Sequence, residues 1–239
     1  MLTVNTHKGF TFFKRKVILH ELREALRRLA PDIVFLQEVV GEHVLHASRH
    51  AHWPETSHYE FLADELWPQY AYGRNAVYTE GHHGNAILSK YPIVSYDNHD
   101  VSIEGHEARG MLHCVIDRQG TPLHAVCVHL GLRQRHRSRQ LARLCALMHA
   151  QPEGEPMLVA GDFNDWRLRA DAVMHECGAA EVFSASFGKP ARTFPARFPL
   201  LRLDRIYVRN IRHWRPLPMA ARPWAVLSDH MPIAAEVML

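Results

Sequence analysis

Short apolar runs separated by turn residues fill most of this 239-residue chain, and they constrain its fold more than any other feature. Several of the runs are rich in the β-branched and aromatic residues that favour strands. Helical spacing of apolar residues is clear only over 17–29 and 133–149, and shorter helices are expected over 58–67 and 168–177. Strands that outnumber helices in this way predict two sheets facing each other with the helices outside.

The composition, with 47% hydrophobic and 22% charged residues, is typical of a globular protein. No uncharged apolar run approaches the ~20 residues that span a bilayer, and the N-terminus lacks the pattern of a signal peptide. A cytoplasmic location is therefore expected. The sequence contains no linker or repeat, which predicts a single domain over residues 1–239. The net charge of +3 is below the level expected of a dedicated nucleic-acid-binding surface.

Polar residues stand where several of the predicted strands stop, and these strand ends carry the most information about function. One carboxylate at a strand end is usually a cap or a turn former. The strand ends of a sandwich collect at common rims, however, and sites are built there. The repetition predicts one site, formed by residues near the ends of different strands: Asn5, Glu38, His129, Asp162, Asn164, Asp229 and His230.

Asp204 belongs to the same set, although it lies inside the apolar run 201–208. A buried aspartate in the middle of a strand would cost several kcal/mol without a partner. A histidine is the natural partner, and His230 is the expected one.

These residue types together support metal-assisted hydrolysis of a phosphoester. Glu38 and Asp229 supply the hard oxygen ligands that suit Mg²⁺ or Mn²⁺. An aspartate such as Asp162 can orient or deprotonate a water molecule. His230, oriented by Asp204, can donate to developing negative charge. The sequence contains no nucleophile elbow, Walker A, zinc-protease or dinucleotide-binding motif.

The order and spacing of the motifs resemble those of the endonuclease/exonuclease/phosphatase superfamily. This superfamily includes DNase I-like nucleases, apurinic endonucleases, inositol polyphosphate 5-phosphatases and neutral sphingomyelinases. Within it, the runs FPLLRLDRIYVRN and YGRNAVYTEGHHGNA resemble a bacterial subgroup. The matching strings are TVNTHKG (3–9), DIVFLQE (32–38), GNAILSKYPI (84–93), VHLGL (128–132), GDFND (161–165), LDRIY (203–207) and SDHMPI (228–233).

The resemblance implies an α/β fold, specifically a four-layer αββα sandwich of two packed mixed β-sheets with helices outside. It implies Glu38 as the main metal ligand, with Asp229 and Asn5 nearby. Asp162 would position the attacking water, and His230, held by Asp204, would stabilise the transition state. Asn164 and His129 would contact the scissile phosphate. The implied cofactor is Mg²⁺ or Mn²⁺.

Further residues are candidates for substrate contacts, each with a structural alternative. His7 and Lys8 could line the phosphate pocket or belong to a solvated loop. Histidines of the segment GHHG, interpreted as a turn, point in different directions, so a shared zinc ion is not expected. The full set of candidates is His7, Lys8, Arg74, His83 and Asn85.

Nucleic acid, phospholipid and a small phosphodiester all remain open as the phosphoester substrate. The low net charge argues mildly against a nuclease. Phe10, Phe12 and Phe13, beside Lys14–Lys16, suit a peripheral membrane contact, but the same stretch could be an ordinary packed loop. A separate alternative is a non-catalytic phosphate- or nucleic-acid-binding module on the same fold.

Overall fold

A computed structural model describes residues 1–11, 16–50 and 52–239. Most of the stretch proposed above for membrane contact, residues 12–15, lies outside the described residues. The strands are β1 Leu2–Asn5, β2 Ile33–His43, β3 Gln69–Tyr78, β4 Gly81–Ser89, β5 Ile93–Asp100, β6 Gly110–Arg118, β7 Thr121–His129, β8 Met157–Asp162, β9 Ala180–Glu181, β10 Asp204–Arg209, β11 His213–Leu217 and β12 Ile233–Met238. The α-helices are α1 Leu19–Leu29, α2 Val44–Arg49, α3 His58–Ala63, α4 Gln134–His149, α5 Ala170–Glu176 and α6 Val182–Phe187.

The strands form two six-stranded mixed sheets. The order is β11-β12-β1-β2-β4-β3 in the first sheet and β5-β6-β7-β8-β10-β9 in the second. β1 runs parallel to β2, and β7 runs parallel to β8, whereas the other neighbours are antiparallel. The predicted pair of packed mixed sheets is therefore confirmed.

Alternate residues of β2 show how the layers stack. Ile33 and Phe35 pack between the two sheets, against residues such as Leu112 of β6. Val34 and Leu36 face the opposite way and pack against α1 and α3. Helices α4 and α5 cover the outer face of the second sheet. The result is the predicted four-layer sandwich. Burial of β2 on both faces explains why its sequence is a continuous apolar run.

Helix α1 shows how local sequence sets an element and its boundaries. Its buried residues Leu19, Leu22, Ala25 and Leu26 recur at helical spacing and pack on the first sheet. The helix ends at Leu29, where Ala30 adopts a left-handed conformation ahead of Pro31. The structure starts this helix two residues later than the predicted segment 17–29.

Several boundaries differ from the expectations drawn from sequence. GHHG is not a turn, because it opens β4 and pairs with β2 and β3; the turn is at residues 79–80. Asp204 is the first residue of β10 rather than a mid-strand residue. Strand β2 continues to His43, through a bulge that the sequence does not reveal. The short elements α2, α6, β9 and β11 were not predicted.

The cysteines divide into two kinds. Cys114 and Cys127 are free and buried in strands between the sheets, as their apolar surroundings predict. Cys145 of α4 forms a disulfide with Cys177, which follows α5. These two residues are 32 positions apart, so spacing alone gave no sign of the pair.

No helix in the described part of the chain has the length and apolarity needed to cross a membrane.

Candidate active site

Strand direction brings the polar strand ends to one edge of the sandwich. β1 and β2 are parallel, and Asn5 at the end of β1 pairs with Gln37, next to Glu38 in the interior of β2. β7 and β8 are also parallel, and their last residues, His129 and Asp162, pair with each other. β10 runs antiparallel to β8, so its first residue, Asp204, pairs with the last residue of β8, Asp162. β12 runs antiparallel to β1, so the segment before it, which carries His230, reaches this edge too.

Two aspartates and a histidine form the buried centre of this edge. His230 Nδ1 donates to Asp204 Oδ2 at 2.8 Å, and His230 Nε2 lies 3.8 Å from Asp162 Oδ2. All three side chains are buried, and their potential ligand atoms lie within 4.8 Å of one another. The structure therefore places the expected histidine beside Asp204.

Asn5 connects the first sheet to this centre. Its Nδ2 donates to Asp162 Oδ2 at 3.3 Å, and its Oδ1 accepts from the backbone N–H of His7. Ser228 Oγ donates to the backbone oxygen of Asn5 at 2.6 Å and lies 3.3 Å from Asp229 Oδ1. Asp229 Oδ2 is in turn 3.8 Å from His7 Nε2. The ends of β1 and β8 and the segment before β12 are thus joined by direct contacts.

Glu38 sits on an irregular part of β2. The register with β4 shifts between Leu36 and Val39, and Glu38 has a positive φ of 53°. Its backbone oxygen accepts from Thr6 Oγ1 at 3.1 Å. Left-handed backbone is costly for a residue other than glycine and persists where the surroundings enforce it. His7, Lys8 and Asn164 at this edge share this conformation.

The loop after β8 holds Asn164 and orients Asp162. The backbone N–H of Asn164 donates to Asp162 Oδ1 at 2.8 Å, and Asn164 Nδ2 donates to the Leu130 carbonyl at 2.9 Å. His129 Nε2 lies 3.5 Å from Asp162 Oδ2. Gly161 is required just before Asp162, since its φ is +146° and an added Cβ would lie 2.0 Å from the Val128 carbonyl oxygen.

Burial and mutual charge set the protonation of the centre. Burial raises the pKa of Asp162, and His230 opposes this rise. Burial alone would lower the pKa of His230, but Asp204 and then Asp162 outweigh it and raise that pKa to about 10. Burial lowers the pKa of His129 well below its usual range. At neutral pH the site therefore holds a cationic His230 and a neutral His129.

The remaining candidates lie at different distances from this centre. Lys8 and His83 are close enough to His129 to depress its pKa through their charges. Asn85 lies between the two sheets, where its Nδ2 donates to the Gly110 carbonyl at 2.9 Å and to the Cys127 carbonyl at 3.3 Å. Arg74 is exposed on β3, and its charge acts on His82.

The adjacent histidines of β4 have different surroundings, as expected. His82 Nδ1 is 2.9 Å from the Tyr72 hydroxyl. The His83 ring is 5.8 Å from that of Tyr78. Burial, with the charges of Lys8 and Arg109, lowers the pKa of His83 to about 4.

Arg109 is a candidate site residue that the sequence analysis missed. It lies immediately before β6, and its charge interacts with Asp162, Glu38 and Glu107 while burial lowers its pKa. Its buried Nε has no hydrogen-bond partner among the described residues. A guanidinium near the site with an unpaired N–H is suited to an anionic ligand. The only available signal was an arginine preceding a strand, which is too common to single out.

Arg205 stabilises the backbone around the site, and the sequence analysis missed this residue too. Its side chain is fully buried. NH1 donates to the Asp204 carbonyl at 3.1 Å, NH2 donates to the Asp165 carbonyl at 3.2 Å, and Nε lies 3.6 Å from Asp171 Oδ1. The guanidinium thus ties the start of β10 to the loop after β8.

We expect Arg205→Met to lower the free energy of unfolding by about 3 kcal/mol, because it removes the cation from a buried network and leaves carbonyl oxygens unpaired. Urea denaturation measures the change. The control is Arg215→Met, which breaks an exposed 2.6 Å ion pair with Glu236 and should cost less than about 1 kcal/mol. Equal losses in the two variants would contradict the role given to Arg205.

Sequence comparison agrees with this geometry. Residues 3–230 match the model of the Endonuclease/Exonuclease/phosphatase family. YbhP of Escherichia coli K12 is 55% identical over 242 residues, which cover 100% of this chain and 96% of YbhP. YbhP of Shigella flexneri gives the same values. The predicted resemblance to this superfamily and to a bacterial subgroup of it is confirmed.

Solved structures share the fold at low sequence identity. An endonuclease/exonuclease/phosphatase from Beutenbergia cavernae has a TM-score of 0.71 and 18% identity, covering 98% of this chain and 69% of that chain. D. rerio TDP2, complexed with a single-strand DNA product, has a TM-score of 0.67 and 19% identity, covering 97% of this chain and 95% of that chain. At such identity these neighbours establish the architecture alone. With the family match and the identity to YbhP, the conclusion is that the chain belongs to the endonuclease/exonuclease/phosphatase family.

Proposed function

We propose that residues 1–239 form one catalytic domain, a divalent-metal-dependent hydrolase of phosphoester bonds. The observation that carries this proposal is the buried arrangement of Asp162, His230 and Asp204, joined to Asn5 from the other sheet. A cationic histidine between two aspartates is costly to bury, so a role at the site accounts for it better than packing does. Membership of the family supports the same class of reaction.

The donor set at this edge fits Mg²⁺ or Mn²⁺. Glu38 and Asp229 offer carboxylate oxygens, and Asn5 offers an amide oxygen, which are the ligand types these hard cations prefer. His230 does not fit as a ligand, because an imidazolium has no lone pair to give. We assign the metal to Glu38 and Asp229, with Asn5 nearby. A bound ion would polarise the phosphoryl group and offset its negative charge.

Side chains of the protein position the water, stabilise the developing charge and contact the phosphate. Asp162, whose pKa is raised by burial, accepts a hydrogen bond from the attacking water and positions it. His230, held by Asp204, donates to the phosphoryl oxygen on which charge develops. Asn164 and neutral His129 lie beside Asp162 and contact the phosphate. Lys8 and His83 border this pocket.

Arg109 should bind the phosphate in the ground state as well as in the transition state. We expect Arg109→Gln to lower kcat/KM for a soluble phosphodiester by about 10- to 100-fold, mainly through KM, because one charge-assisted contact is lost. Steady-state kinetics measures the effect. The control is Arg118→Gln at the other end of β6, where the guanidinium lies over Tyr91. A normal KM in Arg109→Gln would remove this residue from the binding site.

The proposal is tested with a panel of soluble phosphoesters. Purified protein with Mg²⁺ or Mn²⁺ is assayed on a chromogenic phosphodiester, a chromogenic phosphomonoester and a short oligonucleotide, with His230→Ala prepared in parallel to reveal contaminating activity. We expect turnover of at least one ester class, absent from the variant. Metal binding without turnover of any ester would instead indicate a non-catalytic phosphate-binding module on this fold.

A further inference from the structure

The loop that follows the catalytic segment of β8 exposes alternating apolar and cationic side chains. Trp166, Arg167, Leu168 and Arg169 are exposed in succession, directly after the buried residues 161–165. Trp166 is 43% and Leu168 is 40% exposed. These four consecutive exposed residues begin two positions after Asn164.

The loop after β7 and the first turns of α4 have the same character. The Leu130 carbonyl accepts from Asn164, and the guanidinium of Arg137 in α4 lies 4.6 Å from the centre of the Trp166 ring, so this segment contacts the loop after β8. Leu132 is 50% exposed. Residues 130–139 include no acidic residue, and three of their arginines are exposed: Arg133, Arg135 and Arg139.

A third loop, residues 192–202, borders the site from the side of β10 and β12. The Phe194 ring is 5.1 Å from the His230 ring, and the backbone N–H of Ala196 donates to the Asp229 carbonyl. Beyond these anchors, Phe198 is 71%, Leu200 is 53% and Leu201 is 40% exposed. This loop also lacks acidic residues and exposes Arg192 and Arg197.

We call the exposed apolar residues of these three segments, together with their exposed arginines, the arginine–leucine rim. Its arginines are Arg133, Arg135, Arg139, Arg167, Arg169, Arg192 and Arg197. Its apolar members are Leu132, Trp166, Leu168, Phe198, Leu200 and Leu201. Single exposed apolar residues are ordinary, but several on adjoining loops around one site indicate a surface that is covered in use.

The chemistry of the rim favours a lipid surface over a nucleic acid. Single-stranded nucleic acid is bound by aromatic rings that stack on bases, together with cations that track the phosphates. Four of the six apolar members are leucines, which have no ring to stack. Aliphatic and aromatic side chains mixed with arginine are typical of surfaces that insert shallowly between anionic headgroups.

We propose that the arginine–leucine rim docks the site onto an anionic phospholipid bilayer, so that the substrate is a headgroup phosphoester presented at that surface. The choice of substrate rests on the proposed function, whereas docking does not. The arginines meet the anionic headgroups, and the leucines, Trp166 and Phe198 enter the region below them.

The docking is tested by co-sedimentation with vesicles in EDTA, where turnover cannot interfere. We expect the protein to sediment with phosphatidylcholine–phosphatidylglycerol vesicles, less so at high salt, and weakly with phosphatidylcholine alone. The double variant Leu168→Asp/Phe198→Asp should lower the partition coefficient by more than about tenfold, since each residue loses its apolar burial. The control is Val94→Asp. Val94 is 68% exposed and lies at the start of β5, the end of that strand away from the site, so its substitution should change the partition coefficient little.

A second pair, Arg167→Glu/Arg197→Glu, tests whether the arginines attract the anionic headgroups. Thermal melting establishes that each variant is folded. Failure of the wild type to sediment with anionic vesicles, or equal losses in the control, would overturn the docking. Binding of single-stranded oligothymidine without vesicle binding would overturn it in favour of nucleic acid.

The substrate is tested by adding Mg²⁺ and following release of phosphorylated headgroups from the vesicles, which we expect for the wild type. Vesicle binding without hydrolysis of any phosphoester would reject the proposed function and leave the docking standing. Hydrolysis of a soluble diester without vesicle binding would reject the docking alone.

Discussion

His230→Ala should lower kcat for a soluble phosphodiester by about 10³-fold, because the donor to the developing charge is lost. His230 is buried and donates a 2.8 Å hydrogen bond from Nδ1 to Asp204, which holds the ring in place. KM should change less than kcat, since the interaction strengthens in the transition state. Steady-state kinetics on a chromogenic phosphodiester measures both constants.

His213→Ala is the matched control for this prediction, because His213 is exposed at the start of β11. Asp204→Asn tests the positioning role separately. Asp204 raises the pKa of His230, so the alkaline limb of the rate profile, where a protonated His230 is lost, should move to lower pH in this variant. A His230→Ala enzyme with near-normal kcat, or an Asp204→Asn profile identical to that of the wild type, would exclude the assigned roles.

Glu38→Gln should raise the Mg²⁺ concentration needed for half-maximal activity by about 100-fold, because a carboxylate ligand becomes a neutral amide of the same shape. The substitution preserves the bulge in β2, so any change reports on charge. Rates are measured as a function of free Mg²⁺ and Mn²⁺, and calorimetry gives the metal affinity directly.

The matched control for Glu38 is Glu42→Gln, four residues along the same strand and exposed. It should leave the metal dependence unchanged. An unaltered Mg²⁺ requirement in Glu38→Gln would show that the metal is bound elsewhere, the buried aspartates being the next candidates.

Much of the fold could be predicted because its signals are local. The spacing of Leu19, Leu22 and Leu26 defines one face of α1, and the continuous apolar run in β2 reports burial on both sides. His129 and Asp162 could be assigned to one edge from sequence because each follows an apolar strand run, and β7 and β8 end together. Glu38 lies inside β2, beyond the strand end that the sequence predicted. These inferences need only side-chain type and periodicity.

The remainder of the site depends on contacts distant in sequence. Arg109 is distinguished only by its proximity to Asp162 and Glu38, which come from two other strands. The register shift beside Glu38 arises from pairing with β4, and the position of Asp204 at the start of β10 follows from its pairing with β8. The sequence of a single segment does not indicate such contacts.

The central claim is that one metal-dependent site at this edge hydrolyses phosphoesters, and turnover after metal removal tests it most directly. Protein stripped with EDTA and then dialysed free of chelator is assayed on a chromogenic phosphodiester before and after Mg²⁺ or Mn²⁺ is returned. We predict that stripping abolishes turnover and that either ion restores it in the wild type but not in His230→Ala. Turnover that persists without metal, or that His230→Ala retains in full, would contradict the account.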